Sequence, residues 1–524
     1  MLDLEGPQAM HRASTRYDEL LAPSTSKDTE ATFNRASVSY TNLDERFRAA
    51  KRTYERQYAQ LYFSRLMMLK GVMRKRVEEL WPDVQVCSIL EVQESKEVAV
   101  IGTIYKNMKL KPSILDEYSK DRGLKAALGA ANFCSDDDGL VLEDEGARMV
   151  LSVPVEGAGA RPSVSAFASA GAGAGPLNVQ ELVTGVVVAV RGVHEPGGDF
   201  VVSAVCFPGL APNPQPLPSL GAVLGQAHAA GAAAAAAESA PGDKYVAFAS
   251  GFCLGGSKAD MLKTQLAVEF LTGNLGSPIE QQLSSQIVRL VVAGGCIGQL
   301  EALAGGLSGS SNPYNRQAQG AALQPVRDLD LLLTEVAAAL PVDVMPGPED
   351  PANVALPQQP MHRCLFPASG MHGSFVRATN PHELELDGVR LLGTSGQNVD
   401  DMAKYCVMRD RLDLMERSLV YRHIAPTAPD TLTCYPFHDK DPFIVEATPH
   451  VYFVGNQPEF ATRLVEQPAQ GRAGEAGGSA AAGAVGAVVR LIAVPSFART
   501  GTIVLLNVRT LACHPVRFDG SLGM

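Results

Sequence analysis

MPGPEDP, residues 345–351, follows directly on PVDV (341–344) and packs three prolines into seven residues. Proline has no N–H to give to a ladder, so an apolar strand ends here and the chain turns. The only ionisable side chains in that turn are Glu349 and Asp350. Just upstream, PVRDLDLLLTEVAAAL (325–340) sets Val326, Leu329, Leu333 and Val336 at helical spacing. A helix that runs into a buried strand is the unit of an α/β sandwich, and in open α/β sheets chemistry sits beyond the carboxyl ends of the strands.

The unit recurs on both sides. KYVAFASGF (244–252), QIVRLVVAGGCI (286–297), VRLLGTSG (389–396) and PHVYFVGN (449–456) are near-continuous apolar runs, as strands covered on both faces require. KADMLKTQLAVEFLTG (258–273) has helical spacing, and residues 398–423 read as one long helix with Asn398 as N-cap. VVRLIAVPSF and GTIVLLNVRTLACHPVRF read as two closing strands.

The strand ends are poor in charge. The first offers Ser250, Phe252 and Cys253, the second Gly294, Gly295 and Cys296, the third Glu349 and Asp350, and the last Asn456. Two divalent ions about 3.5–4 Å apart bring about four positive charges into one pocket and need several converging carboxylates and imidazoles. Counting Glu349, Asp350 and His423, the sheet supplies too few, so no metal and no other cofactor is expected. Asp350 reads as a turn aspartate that accepts backbone N–H bonds. His423, ahead of the proline-rich turn IAPTAPDTL, reads as a structural hydrogen-bonding histidine. No G-x-S-x-G elbow or phosphate-cradling G-x-x-x-x-G-K-[ST] occurs. Ser395 in GTSGQN reads as part of a strand-to-helix turn.

The amino-terminal half has another pattern. Residues 39–81 space Phe47, Tyr54, Tyr58, Leu61, Leu66 and Met67 as an amphipathic helix or helix pair. Strand-like runs follow at 84–92, 97–105, 139–153 with a turn at Glu145-Gly146, 182–193 and 199–207, and EPGGD joins the last two. About five short β-branched strands suit an oligonucleotide/oligosaccharide-binding (OB) barrel. Its aromatics are Tyr105, Phe200 and Phe207, and its basic residues Lys96, Arg148 and Arg191. So few of either favour protein contacts over single-strand binding.

With 45 basic and 56 acidic residues the net charge is −11, which disfavours direct attraction to a phosphate backbone. Nine scattered cysteines without a C-x-x-C pair suit a reducing compartment. The first residues lack a secretory apolar core, and no charge-free apolar run reaches the ~18–20 residues of a membrane span, so a soluble intracellular protein is expected. Three Ala/Gly/Ser-rich tracts, 156–176, 225–243 and 466–487, read as flexible insertions. The expected organisation is a segment 1–38, a helix plus OB domain over 39–216 with the insertion 156–176, a linker 217–242, and an α/β domain over 243–524 with the insertion 466–487.

ATFNRASVSYTN, IGTIYKNMKLKPSIL, LPQQPMH, GTSGQNVDD, APTAPDTL and NVRTLACHPVRF, with other segments spanning nearly all of the chain outside the three tracts, resemble the small B-subunit family of replicative DNA polymerases, most of all its delta-type members. The resemblance implies an OB barrel followed by a calcineurin-like phosphoesterase α/β sandwich that has lost its activity. Where active relatives read G-N-H-D, this chain has Gly347, Pro348, Glu349 and Asp350; where they read G-H-x-H, it has Gly455, Asn456, Gln457 and Pro458. Cys253, Gly295, Pro348, Glu349, Asp350, His423, Asn456 and Pro458 are thus expected to mark a degraded site. The resemblance also implies a nuclear scaffold that holds the cysteine-rich carboxy-terminal module of a polymerase catalytic subunit, and a third subunit that leads to the sliding clamp. DNA contact would be weak or indirect, and no membrane is involved. The rival readings are a residual metal-dependent phosphodiesterase using Asp350 and His423, and a single-strand binder acting through the barrel.

Overall fold

Tyr245–Ala249 and Ile287–Ala293 are buried at every position, and their side chains alternate between two cores. Tyr245, Ala247, Ile287, Leu290 and Val292 pack toward helices, whereas Val246, Phe248, Val288, Val291 and Ala293 pack toward a second sheet. This two-sided burial is why the sequence there has no polar phase.

The computed structural model describes residues 2–4, 33–49, 55, 57–112, 132–153, 174–214, 242–298, 316–468 and 485–519. Most of each low-complexity tract, 156–173, 225–241 and 469–484, lies outside the described residues, as does most of the segment 1–38. In chain order the strands are β1 (Leu2–Leu4), β2 (Tyr40–Asn42), β3 (Val86–Cys87), β4 (Glu97–Asn107), β5 (Gly139–Glu143), β6 (Arg148–Ser152), β7 (Ala174–Gly175), β8 (Val187–His194), β9 (Phe200–Cys206), β10 (Tyr245–Ala249), β11 (Ile287–Ala293), β12 (Val342–Met345), β13 (Phe375–Arg377), β14 (His382–Leu386), β15 (Val389–Thr394), β16 (Val451–Gln457), β17 (Ala461–Pro468), β18 (Val485–Pro495), β19 (Thr502–Asn507) and β20 (Cys513–Phe518). The α-helices are α1 (Ala59–Leu80), α2 (Met261–Thr272), α3 (Pro278–Ser285), α4 (Arg316–Ala339), α5 (Gln397–Tyr405), α6 (Arg411–Val420) and α7 (Phe497–Thr500).

The first half closes a five-stranded barrel: β4 pairs antiparallel with β5 and β8, β5 with β6, and β8 with β9, while β6 and β9 run parallel. Val98, Leu140, Leu142, Val188 and Phe200 fill it. Helix α1 lays Leu66, Leu69, Met73 and Val77 over Ala99, Ile101, Val187 and Ala189.

The second half stacks two mixed sheets, ordered β1-β20-β19-β10-β11-β12-β13 and β17-β18-β16-β15-β14-β2. Phe248 and Phe453, ring centroids 4.7 Å apart, meet between them. Helices α2 and α4 cover the first sheet. The outer face of the second, through Tyr452, Val454 and Leu491, shares one core with α5, α6 and the barrel. No helix among the described residues is long and apolar enough to cross a membrane.

Several local expectations are corrected. The run 39–81 is not a helix pair: Tyr40–Asn42 is a strand paired with β14, Asp44–Phe47 is a 3-10 turn, and the α-helix begins only at Ala59. Tyr58 and Met67 are exposed rather than core. Residues 84–92 hold a two-residue strand and a 3-10 turn capped by Ser88 and Glu91. The long helix over 398–423 is two helices, because Asp410 accepts an N–H bond from Leu412 and starts the second. Asn398 caps nothing; it is buried, donating to the Ile424 carbonyl at 2.6 Å and to Tyr452 Oη at 3.0 Å. The tail forms three strands rather than two, because the run 501–518 turns back at residues 508–512 and folds as the antiparallel pair β19 and β20.

Candidate functional site at the strand ends

The turns after β10, β11, β12, β15 and β16 converge, and backbone fills the space between them. The β11 turn runs through Gly294 and Gly295 at φ 74° and 69°, a left-handed conformation that glycine adopts without a Cβ penalty. A Cβ on Gly295 would lie 2.5 Å from Asn456 Oδ1 and 2.9 Å from Gly251 Cα; one on Gly347 would lie 2.5 Å from the Gly295 nitrogen.

Asp350 is the pin of this junction. Its Oδ2 accepts N–H bonds from Gly295 (2.8 Å), Cys296 (3.2 Å) and Gly347 (2.8 Å), and its Oδ1 one from Ile297 (2.9 Å). It thereby ties the turn after β12 to the turn after β11. Burial pushes the Asp350 pKa up, against the pull of these four donors.

Around it lies a network of uncharged amides and hydroxyls. Gln358 donates to the Gly347 carbonyl and accepts from Asn380 (2.8 Å) and Gln397 (2.9 Å). Asn380 also donates to Ser395 Oγ at 2.8 Å, and the Ser395 hydroxyl donates to Gln397. Ser395 therefore sits in a closed hydrogen-bonded turn. Asn456, itself at φ 58°, donates its side-chain amide to the carbonyls of Ala293 (3.2 Å) and Ser395 (2.8 Å) and its backbone N–H to Ser250 Oγ (2.8 Å).

The other expected positions disperse. Pro348, Glu349 and Pro458 are exposed. Cys253 is half-buried at φ 51°, its thiol pKa raised by burial and by Asp350. His423 does not join Asp350. Its Nε2 meets Asp441 Oδ2 at 2.8 Å, and the same oxygen takes Arg65 Nε at 2.8 Å. Burial and Arg65 depress His423 to about 4, so the ring is neutral near pH 7. Burial opposes the charge on Asp441, but His423 and Arg65 together hold it well below the carboxylate range.

This donor set does not fit a pair of divalent ions. Asp350 has both oxygens committed to backbone N–H groups, Asn456 directs its amide N–H at carbonyls, and the glycines leave backbone in contact. Among the described residues no three His, Cys, Asp or Glu side chains gather in a metal-holding group.

Sequence reasoning missed the amide network. Gln358, Asn380 and Gln397 lie in loops or at a helix start, where neutral amides have no periodicity; prolines beside Gln358 and Asn380 are the only local signal. It also missed a buried charge cluster that fastens β2 and its following turn between the sheets. His382 bridges Asp44 (2.7 Å) and Asp343 (3.3 Å), Arg289 meets Asp343 at 2.6 Å, and Arg289 stacks 3.6 Å over the Tyr40 ring. Burial opposes a charge on His382, but the two carboxylates win and raise it to about 9.

Two family descriptions match the chain. The DNA polymerase delta subunit OB-fold domain covers residues 57–205, and the B-subunit of DNA polymerase alpha/epsilon covers residues 246–462. The "DNA polymerase delta small subunit" of Oryza sativa subsp. japonica is 40% identical over 488 residues, covering 93% of this chain and 99% of that protein. The Arabidopsis thaliana protein of the same name is 39% identical over 497 residues, covering 95% and 99%. That of Saccharomyces cerevisiae is 29% identical over 514 residues, covering 90% and 91%.

Proposed function

On the premise that this chain belongs to the DNA polymerase delta small-subunit family, and so is an accessory subunit of a replicative DNA polymerase, we propose that it is a non-catalytic scaffold within that assembly. Its second half is a calcineurin-like phosphoesterase sandwich whose strand ends have been turned from metal chemistry to structure. The observation that carries this reading is Asp350: a carboxylate in a strand-end turn, spent entirely on four backbone N–H groups. Cys253, Gly295, Pro348, Glu349, Asp350, His423, Asn456 and Pro458 are then the remains of an active site, now packed, capped or exposed to no catalytic end.

The scaffold partners with other polymerase delta subunits: the catalytic subunit through its cysteine-rich carboxy-terminal module, and a third subunit that connects to the sliding clamp. It works in the nucleus and meets DNA weakly or indirectly, in keeping with the acidic balance of −11. A permanent assembly of this kind buries about 2,000–5,000 Å² in total. The barrel and the sandwich share one continuous core, which suits a rigid platform for several partners. Co-expression with the polymerase catalytic subunit tests the proposal. A stoichiometric complex that persists in moderate salt is expected, and separate elution of the two chains overturns it. A metal-dependent phosphodiester hydrolysis lost in Asp350→Ala would overturn the non-catalytic part alone.

A further inference from the structure

Helix α1 buries one side against the barrel and turns another outward. Phe63 and Met67, one helical turn apart, are 46% and 48% exposed. Beside them the outer face of the barrel carries a cross-strand row: Tyr105 stands opposite Val141, and Val141 opposite Val150. Tyr105 and Val150 are 38% and 51% exposed. Between helix and sheet runs a groove of about 560 Å³ lined by Tyr62, Phe63, Leu66 and Tyr105. Leu61, Leu66, Leu69, Met73 and Val77 of α1 reach the core, whereas Phe63 and Met67 belong to no hydrophobic core among the described residues.

The rim of the groove is charged but paired. Lys70 meets Glu145, Arg148 meets Glu143 at 2.9 Å, and Lys111 meets Asp430 at 2.6 Å. Asp144, in the same wall, is a carboxylate beyond these pairs and takes backbone N–H bonds from Ile89, Gly146 and Ala147. Binding to a nucleic-acid strand draws its strength from cations that exchange counterions for phosphate. Each of these three rim cations already faces a carboxylate, and with Asp144 the carboxylates outnumber them. The face of the barrel that presents aromatics is therefore electrostatically wrong for a phosphate backbone. An apolar floor inside a rim of mild negative excess instead complements a polypeptide segment with an apolar face and basic flanks.

We propose that the groove between α1 and the β4–β5–β6 face of the barrel is a docking site for an apolar, basic-flanked segment of another subunit of the polymerase. This rests on the scaffold reading above and assigns one of its contacts to a place. Tyr62, Phe63 and Leu66 of α1 form one wall and Tyr105 of β4 stands in the other, with Met67 and the Val141–Val150 pair extending the apolar surface beyond the groove, and the partner's apolar side chains fill the space between the walls. Central, desolvated aromatic contacts of this kind dominate interface energetics.

The test uses the full-length chain and measures its affinity for each of the other polymerase delta subunits. F63D/Y105D places two charges in the walls; I279D, on the exposed side of α3, is the control. A milder pair, F63S/Y105S, repeats the experiment if the charged pair lowers the thermal unfolding temperature. The proposal expects a loss of affinity of at least about tenfold for one partner subunit, with the control unchanged. Affinities for all partner subunits within about twofold of the unsubstituted chain overturn it while leaving the scaffold reading intact. Low-salt binding of an oligo-dT probe that the wall variants abolish overturns it in favour of nucleic acid. If the unsubstituted chain binds no polymerase subunit, the scaffold reading itself falls.

Discussion

Replacing Asp350 by alanine removes the pin of the strand-end junction. Four N–H groups, of Gly295, Cys296, Ile297 and Gly347, lose their acceptor in a site where the aspartate is only 5% exposed. Each orphaned buried donor costs about 1 kcal/mol at the low end, giving about 4 kcal/mol for the set. Removing a buried carboxylate relieves some desolvation, since burial pushes its pKa up, and the net loss should be about 3 kcal/mol. That is a large part of the about 5–15 kcal/mol that holds a typical protein folded. Urea unfolding of the full-length chain, followed by intrinsic fluorescence and circular dichroism, measures it as a fall in midpoint. A variant within about 0.5 kcal/mol of the unsubstituted chain would refute the reasoning, because the turns would then hold without their shared acceptor. Asp350→Asn is a sharper companion. It keeps one acceptor oxygen but points an amide N–H at donors, so it should recover less than half of the loss.

The buried His382 predicts a pH dependence. Its folded pKa of about 9 lies above the ordinary 6.5, so its contribution is fully present below about pH 6.5 and is lost as pH rises through about 9. A fall of up to about 3 kcal/mol between pH 6.5 and 9.5 is expected by urea titration, and His382→Gln should flatten it. Arg65→Met leaves Asp441 with only the neutral His423 beside it in place of a fully buried guanidinium, and also frees the carbonyls of Gly185, Pro426 and Ala428. A loss of about 3–5 kcal/mol is expected, with faster proteolysis between barrel and sandwich; a variant as resistant as the parent would contradict it. Gly295→Ala combines a positive φ with a Cβ 2.5 Å from Asn456 Oδ1 and should cost about 2–3 kcal/mol in thermal unfolding. An unchanged midpoint would mean that the junction has slack.

The elements whose determinants are local in sequence are legible there. β10, β11, β12, β15 and β16 are apolar runs buried on both faces, and β5 and β6 meet at the expected turn near Gly146. What could not be read depends on partners distant in sequence. The strand Tyr40–Asn42 is specified by pairing with Leu384–Leu386, far along the chain, and by the cage of Asp44, His382 and Asp343. Nothing in SYTNLDERF announces that cage, and its aromatic and charged spacing imitates a helix. The break between α5 and α6 was legible in principle, since Asp410 stands at the N-cap position of the second helix, but continuous apolar spacing on both sides masked it. At the strand ends the poverty of carboxylates and imidazoles was legible by inspection. The amide network that occupies them was not, because Gln358, Asn380 and Gln397 come together only in three dimensions.

The proposed scaffold role stands or falls on the mass of the particle formed when the full-length chain is co-expressed with the polymerase delta catalytic subunit and passed over a sizing column in moderate salt. A single peak with the mass of one copy of each chain is expected. Two peaks, each with the mass of one chain alone, would contradict the scaffold role.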